Sequence, residues 1–325
     1  MRLSIKKETW PLKAGFAISR AALTHSYIIT VEITVGAHTG RGECEAHESD
    51  VSYLEVVAKE IESVRPFLKE GFARRDLATL LPAGPARNAL DCALWDLEAK
   101  QSGERIWDVV QISMPSAFAT AFTIGVDTPE NMAGVASENA DKSLLKLKLG
   151  AGDNLSRVRA VRSAAPQARM IVDANEAFSF PELVQFADAC TEYGVELIEQ
   201  PLPKDADDEL VAYRGDIPLC ADESCTNRRS LPSLLAKYAY INIKLDKTGG
   251  LTEALALAEA AKRCEMGVMV GCMVGTSLAM APAMVVATFA DFVDLDGPLL
   301  LGNDRSSALQ YDGDQICLPA KELWG

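Results

Sequence analysis

Leu144-Leu145-Lys146-Leu147-Lys148-Leu149 is an apolar run in which Lys146 and Lys148 share one parity and Leu145, Leu147 and Leu149 the other. Side chains of a strand alternate between its faces, so the two lysines point the same way. A surface strand would carry them harmlessly. A barrel strand, covered on both faces, would not bury two ammonium groups without a role. Four similar runs follow: Met170–Asp173, Val195–Glu199, Ile217–Asp222 and Tyr240–Leu245. They carry Asp173, Glu199, Asp222 and Lys244, and by subtraction the steps from Lys148 onward are about 25, 26, 23 and 22 residues. That is close to the ~25–30 residues per strand–helix unit of an eight-stranded barrel. Parallel strands with helical crossovers bring all five side chains to one rim.

Working outward, strands are expected to begin near Ala119, Leu144, Met170, Val195, Pro218, Ile241, Val268 and Phe292, eight in all. Helical patterns lie between them over 155–165, 181–193, 230–236 and 251–264, the last entered through Gly249-Gly250. The rhythm before them differs. Residues 3–11 and 26–35 alternate as antiparallel strands, Gly36 to Gly40 reads as a turn, and a third strand is expected near Gly42–Cys44. Helices are expected from Ser49-Asp50 to Phe67 and from Pro85 to Lys100. The expected organisation is an α+β capping domain over 1–112, completed by 302–325, and a barrel catalytic domain over 113–301.

The chain has 325 residues, 48% of them hydrophobic, with a formal net charge of −14. That charge argues against nucleic acid or an anionic membrane as partner. Val268 to Ala290 carries no charge and is long enough to span a bilayer, but Gly271, Gly275 and Pro282 divide it into strand, loop and buried helix. The eight cysteines are scattered without a CxxC pair, and Met1 to Trp10 has no apolar signal core. Both point to a cytoplasmic protein with reduced thiols.

Three carboxylates converging on one point repel each other unless a cation sits among them. All-oxygen hard ligands favour Mg²⁺, with Mn²⁺ the alternative, so Asp173, Glu199 and Asp222 form the candidate metal site. Strands two and six of an eight-strand ring are diametrically opposed. Lys148 and Lys244 therefore face each other across the cavity. One would remove a proton α to a carboxylate and the other return it on the opposite face, inverting a stereocentre. The metal and Lys146 are expected to ease deprotonation of Lys148. Asp246, of the same parity as Lys244, is expected to pair with an amine. His25, His38 and His47 all precede the barrel, which leaves no imidazole base on a barrel strand.

These segments (Lys146-Leu147-Lys148, Val172-Asp173-Ala174-Asn175, Ile198 to Pro201, Ala221 to Ser224 and Lys244 to Gly250), together with Leu81–Gly84, Ala86–Leu97 and Gly271–Met273, resemble the enolase superfamily. Within it they resemble the muconate-lactonizing subgroup, and most of all the L-Ala-D/L-Glu dipeptide epimerase family of proteobacteria. The resemblance implies an α+β cap on a (β/α)7β modified TIM barrel (α/β class, enolase-like). It also implies Mg²⁺ dependence, a 1,1-proton transfer by Lys148 and Lys244, and Asp173, Glu199 and Asp222 as metal ligands. Asn175 and Glu223, inside the matched segments, would support those ligands. Asp294-Leu295-Asp296, after the eighth strand, matches the acid pair with which dipeptide epimerases hold a substrate's free ammonium group. Lys146 would contact the substrate, and Arg20, from a flexible capping loop, would meet the glutamate side-chain carboxylate. Many subgroup members carry an acid after strand seven, where this chain has Gly275.

The resulting expectation is an isomerase acting on the C-terminal residue of a dipeptide, L-Ala-D/L-Glu, in the recycling of cell-wall peptides. An N-acyl-amino-acid racemase or o-succinylbenzoate synthase is the alternative. A non-catalytic peptide-binding protein is a more distant one. The resemblance also suggests a homo-oligomer, a family habit.

Overall fold

The computed structural model describes the backbone of residues 1–18, 21–46, 51–69 and 71–325, and their side chains except at 14–18, 21–23 and 51. Arg20, His47, Ser49 and Asp50 lie outside the described residues.

Three strands, β1 (Arg2–Ile18), β2 (Ala21–Val35) and β3 (His38–Glu45), form an antiparallel sheet in the order β1-β2-β3. The β2–β3 turn is tighter than expected. Val35 pairs with His38, so the turn is Gly36-Ala37 alone, and Gly36 supplies its positive φ of 58°. Helix Val51–Ser63 and helix Pro85–Ser102 cover this sheet. One face of the longer helix (Ala86, Ala89, Leu90, Ala93, Leu94, Leu97) packs into the sheet's core with Ile29, Val31, Ile33 and Cys44. Its other face (Cys92, Trp95, Ala99) belongs to the larger core shared with the barrel. The helix is thus the seam between two cores.

The next strand, β4 (Ala117–Ala119), was expected to open the barrel. Instead it pairs with β14 (Gln315–Cys317), which pairs in turn with β13 (Tyr311–Asp312). Thr120 then breaks the run, and the barrel begins at β5 (Phe122–Ile124). It continues through β6 (Leu144–Lys148), β7 (Arg169–Asp173), β8 (Val195–Glu199), β9 (Leu219–Ala221), β10 (Tyr240–Ile243), β11 (Gly267–Val270) and β12 (Phe292–Val293). All eight are parallel and neighbour one another in chain order. The ring closes where the Ala121 N–H donates to the Val293 carbonyl at 2.8 Å. The β8–β9 crossover has only 3-10 turns, at Lys204–Ala206 and Asp208–Ala212, in place of a helix. Helix Ser277–Ala287 and β11 divide the long uncharged stretch, and among the described residues no helix is long and apolar enough to cross a membrane.

Inside the ring the two-residue period sorts side chains by height. Leu144, Ile171, Leu197, Cys220, Met269 and Phe292 form an apolar floor. Two residues further along β6, β7, β8, β9 and β12 come Lys146, Asp173, Glu199, Asp222 and Asp294, with Asn242 of β10 bonded to Glu199 beside them. The floor follows the layered filling of closed barrels. The layer above it is charged.

The closing segment ties both parts together. The Trp324 indole N–H donates to the Cys92 carbonyl, the Gly325 N–H to Asp96, and the Arg41 guanidinium to the Leu323 carbonyl.

β3 lies so close to helix Pro85–Ser102 that a Cβ on Gly42 would sit 2.1 Å from the Ala89 carbonyl oxygen, and one on Gly40 2.0 Å from that of Ala93. Both obstacles are backbone, which cannot rotate aside. Gly42→Ala should therefore lower stability by about 1–3 kcal/mol or more, the usual range for overpacking. Chemical denaturation would read this directly, and an unchanged midpoint would contradict the packing described.

Candidate active site

Asp173 and Glu199 end β7 and β8, Asp222 follows β9, and one carboxylate oxygen from each lies within 4.8 Å of the others. All three are buried. Backbone shape helps to hold them. Asn175 adopts a left-handed φ of 41°, which Asn tolerates better than most residues, and its N–H donates to Asp173 Oδ1 at 3.0 Å. Gln200 fixes the turn after β9. Its Oε1 accepts the N–H groups of Asp222 and Ser224, while its Nε2 donates to the Ser224 and Tyr238 hydroxyls.

Among the described residues, four ammonium groups answer these acids. Lys148 Nζ stands 2.5 Å from Asp173 Oδ2, and Lys244 Nζ 2.6 Å from Asp222 Oδ2. Lys247 Nζ lies 2.5 Å from Asp222 Oδ1 and also donates to the Asn242 carbonyl. Lys146 reaches Asp173 at 3.1 Å, Glu199 at 2.7 Å and Asp294 at 2.7 Å. β6 and β10 are four strands apart in the ring, so Lys148 and Lys244 approach the acids from opposed strands. These two lysines keep 9% and 7% exposure, whereas Lys146 keeps 1%. Lys146 is therefore sealed among the acids, with almost no surface left for a substrate.

Burial opposes the charge on Lys146 and Lys244, but neighbouring carboxylates outweigh it and hold both ammonium groups above the ordinary lysine range. For Lys146 these are Asp294, Glu199 and Asp173; for Lys244, Asp222 and Glu199. Burial likewise works against the Asp173 and Asp222 carboxylates, yet their lysines hold both below the usual range. Glu199 goes the other way. Burial, then the charge of Asp173, pushes it up to about 7. Its Oε2 lies near the Lys146 ammonium without an aligned hydrogen bond. An under-compensated oxygen among hard carboxylates is what a Mg²⁺-sized cation would satisfy, so the residues present fit the ion.

Asp294 and Asp296 are both buried on the rim after β12. Thr123 on β5 touches both: its N–H donates to Asp296 Oδ2 at 2.6 Å and its hydroxyl to Asp294 Oδ1 at 3.3 Å. The intervening Leu295 is held at both ends, its N–H by the Thr120 hydroxyl and its carbonyl by the Tyr311 hydroxyl. The resemblance implies a substrate ammonium as the partner of this pair, and in the structure Lys146 already faces Asp294. Asp296 has no such partner at salt-bridge distance among the described residues. Burial, then Asp294, push its carboxyl up to about 7.

Asp246 departs from expectation. A one-turn helix, Leu245–Thr248, starts right after β10 and breaks the strand parity, so Asp246 turns to the cap and accepts from Asn88 Nδ2 at 3.0 Å instead of meeting an amine. Glu223, next to Asp222, is pushed up by burial, then by Asp222 and Asp173. Arg20 lies outside the described residues. Gly275 leaves room for a carboxylate from elsewhere: a Cβ there would meet Glu43 Oε1 at 3.2 Å, and Glu43, on β3, accepts the Thr276 N–H and the Arg305 guanidinium. Sequence reading missed Glu43, Thr123, Asn242 and Lys247. Lys247 and Asn242 sit in quoted segments, Asn242 at the parity of Lys244, while Glu43 and Thr123 touch the site only through tertiary placement.

The chain belongs to the enolase superfamily. Residues 132–303 match the enolase C-terminal domain-like family, and residues 1–110 match the mandelate racemase / muconate lactonizing enzyme N-terminal domain. Among its relatives is the L-Ala-D/L-Glu epimerase of Escherichia coli K12, 41% identical over 97% of this chain and 99% of that protein. An N-acetyl-D-glutamate racemase from a Pseudoalteromonas species is 44% identical over 80% and 83%. Among solved structures, an Agrobacterium tumefaciens enolase family member with homology to dipeptide epimerases, bound to sodium and L-Ala-L-Glu, superposes with a TM-score of 0.96. It is 43% identical, over 99% of both chains.

Asn242 Nδ2 donates to Glu199 Oε1 at 2.6 Å and fixes that carboxylate. Asn242→Ala should weaken Mg²⁺ binding by roughly 10–100-fold, the usual cost of losing such a support, as measured by calorimetric titration. Wild-type affinity would refute the assignment. The raised Asp296 has a sign consequence as well. An ordinary Asp in the unfolded chain titrates near ~3.9, so the folded state keeps a proton that the unfolded state has released. The contribution of Asp296 to stability therefore falls as pH rises from about 4 to about 7, and the penalty persists above that. Asp296→Asn should raise the melting temperature at pH 8 and leave it nearly unchanged at pH 4; an equal gain at both would contradict this.

Proposed function

We propose that the chain is a Mg²⁺-dependent dipeptide epimerase, an isomerase that inverts the α-carbon of a dipeptide's C-terminal residue, with L-Ala-D/L-Glu as substrate. The observation that carries this is the approach of two buried lysines from opposed strands to one acid cluster. A binding protein has no use for that expensive arrangement.

In this reading Asp173, Glu199 and Asp222 hold the ion. Bound there, it supplies stabilisation for the negative charge that develops on the substrate carboxylate as the α-proton leaves. Lys148 and Lys244 exchange protons with opposite faces of the α-carbon, each serving as base for one epimer and acid for the other. A lysine must be neutral to take a proton. The carboxylates that favour the Lys244 ammonium lose part of that pull when they acquire another counter-charge. Asp296 and Asp294 receive the substrate's free ammonium, with Asp296 the better placed because Lys146 already faces Asp294. Lys146 serves as counter-ion to both subsites, and Asn175, Glu223 and Asp246 stand behind the ligands and Lys244. Arg20 is proposed for the glutamate side chain on the resemblance alone.

The relatives named an L-Ala-D/L-Glu epimerase and an enolase member holding L-Ala-L-Glu support this substrate. A role in recycling cell-wall peptides follows from such a dipeptide. A cytoplasmic location is supported by eight unpaired cysteines, five of them buried. A second reading, N-acyl-glutamate racemisation, is favoured by the N-acetyl-D-glutamate racemase and by the partial neutralisation of Asp294.

Incubation with L-Ala-L-Glu and with N-acetyl-L-glutamate in D₂O separates the readings, with deuterium at the α-carbon read by NMR. The dipeptide should label and epimerise with the higher kcat/KM, and Asp296→Asn should remove that preference. Lys148→Ala and Lys244→Ala should each abolish exchange from one epimer while leaving some from the other. Full epimerisation by either variant would refute the two-base mechanism.

A further inference from the structure

Lys244 caps the N-terminus of the one-turn helix Leu245–Thr248, and its carbonyl accepts the N–H groups of Lys247 and Thr248. A helix this short has little stability of its own, because one turn cannot repay the ordering of its backbone. Its outer side is held by the cap. Asn88, on helix Pro85–Ser102, donates through Nδ2 to Asp246 Oδ1 at 3.0 Å and to the Glu43 carbonyl at 3.3 Å. Asp246 also accepts from the Glu45 backbone. At the other end the Arg87 guanidinium donates to the Thr248 carbonyl at 2.7 Å and the Gly249 carbonyl at 3.2 Å. These are end carbonyls of the turn, which a cation suits.

The Gly249-Gly250 pair is what permits this approach. A Cβ on Gly249 would lie 2.4 Å from Arg87 Nε, and one on Gly250 2.5 Å from Asp91 Cβ. Both glycines also have positive φ, 77° and 110°. The cap helix thus lies directly on the segment that carries Lys244.

The turn after Lys148 is held differently. The Leu149 N–H donates to the Asp173 carbonyl, Gly150 exchanges two hydrogen bonds with the Asn154 side chain, and Arg157 donates to the Ala151 carbonyl. Among the described residues these partners all belong to the barrel.

We propose that Arg87 and Asn88 are positioning residues for Lys244 alone: the cap sets one of the two proton-transfer groups and the barrel sets the other. This rests on the two-lysine reading above. The two contacts fix opposite ends of the Leu245–Thr248 turn, so losing either lets the Lys244 ammonium drift from the acid cluster while Lys148 keeps its place. Displacements of about 1 Å at a reacting group can cost on the order of a hundredfold in rate.

The test uses the full chain with Mg²⁺ and each purified epimer of L-Ala-Glu in D₂O, following loss of the α-proton signal. Lys148→Ala and Lys244→Ala first establish which epimer depends on which lysine. Arg87→Gln and Asn88→Ala should then slow exchange from the Lys244-dependent epimer by roughly tenfold to a hundredfold. Exchange from the Lys148-dependent epimer should stay near wild type. Asp91→Asn is the control, because Asp91 caps the following helix through the Thr252 N–H and hydroxyl. It should slow both epimers alike or neither. Arg87 is half-buried on the docking face, so Arg87→Gln decides the matter if Asn88→Ala fails to fold. Equal loss from both epimers in a folded Arg87 or Asn88 variant, or no loss from either, overturns the proposal. If the lysine variants themselves show no epimer preference, it is the two-base mechanism that falls.

Discussion

Mutual compensation of buried charge is the constraint under which this molecule is built. Asp173, Glu199, Asp222 and Asp294 stand in one layer of the barrel interior, answered by the ammonium groups of Lys146, Lys148, Lys244 and Lys247. Any one of these groups alone in that interior would cost several kcal/mol. Together they are tolerable, and the apolar floor of Leu144, Ile171, Leu197 and Met269 beneath them keeps water from relaxing the arrangement from below. Glu199 is the place where compensation falls short, and it is also where the carboxylates open toward a cation. Metal affinity and barrel architecture are therefore one electrostatic problem.

Much of this was legible in the chain. The two-residue period around Lys146 and Lys148 and the even spacing to Asp173, Glu199, Asp222 and Lys244 are local signals, and a parallel barrel turns them into one rim with little freedom. What sequence could not resolve came from breaks in that periodicity. Ala117–Ala119 looks as much like a strand as Phe122–Ile124, but only contact with Gln315–Cys317, far along the chain, draws it out of the ring. Asp246 has the parity of Lys244 on paper, and a helical turn that starts one residue after Lys244 cancels it. Thr123 and Glu43 carry no local signature, because each acts on a partner more than a hundred residues away, whereas Asn242 shares the inward parity of Lys244 and only its bond to Glu199 depends on the closed ring.

The cap contributes more than cover. Its strand β3 brings Glu43 to the loop after β11, next to Gly275, and its long helix lies on the turn after β10. Ser26 on β2 adds a hydrogen bond from its hydroxyl to the Val274 carbonyl. Two of the barrel's rim loops are thus shaped by residues from the N-terminal sheet and its helix. Gly249 and Gly250 mark where that helix meets the barrel, and Gly40 and Gly42 where it meets β3; at each even a methyl group would meet another part of the chain.

The placement of Lys146 has a corollary. One ammonium group answers acids of the metal cluster on one side and Asp294 on the other, so neither neighbourhood can drift independently. Loss of the Asp294 carboxylate would leave Lys146 wholly to Asp173 and Glu199. Those carboxylates would then be better matched by the lysine and less in need of an ion. A change on the rim at Asp294 would thus reach the metal cluster through a side chain with almost no exposure of its own.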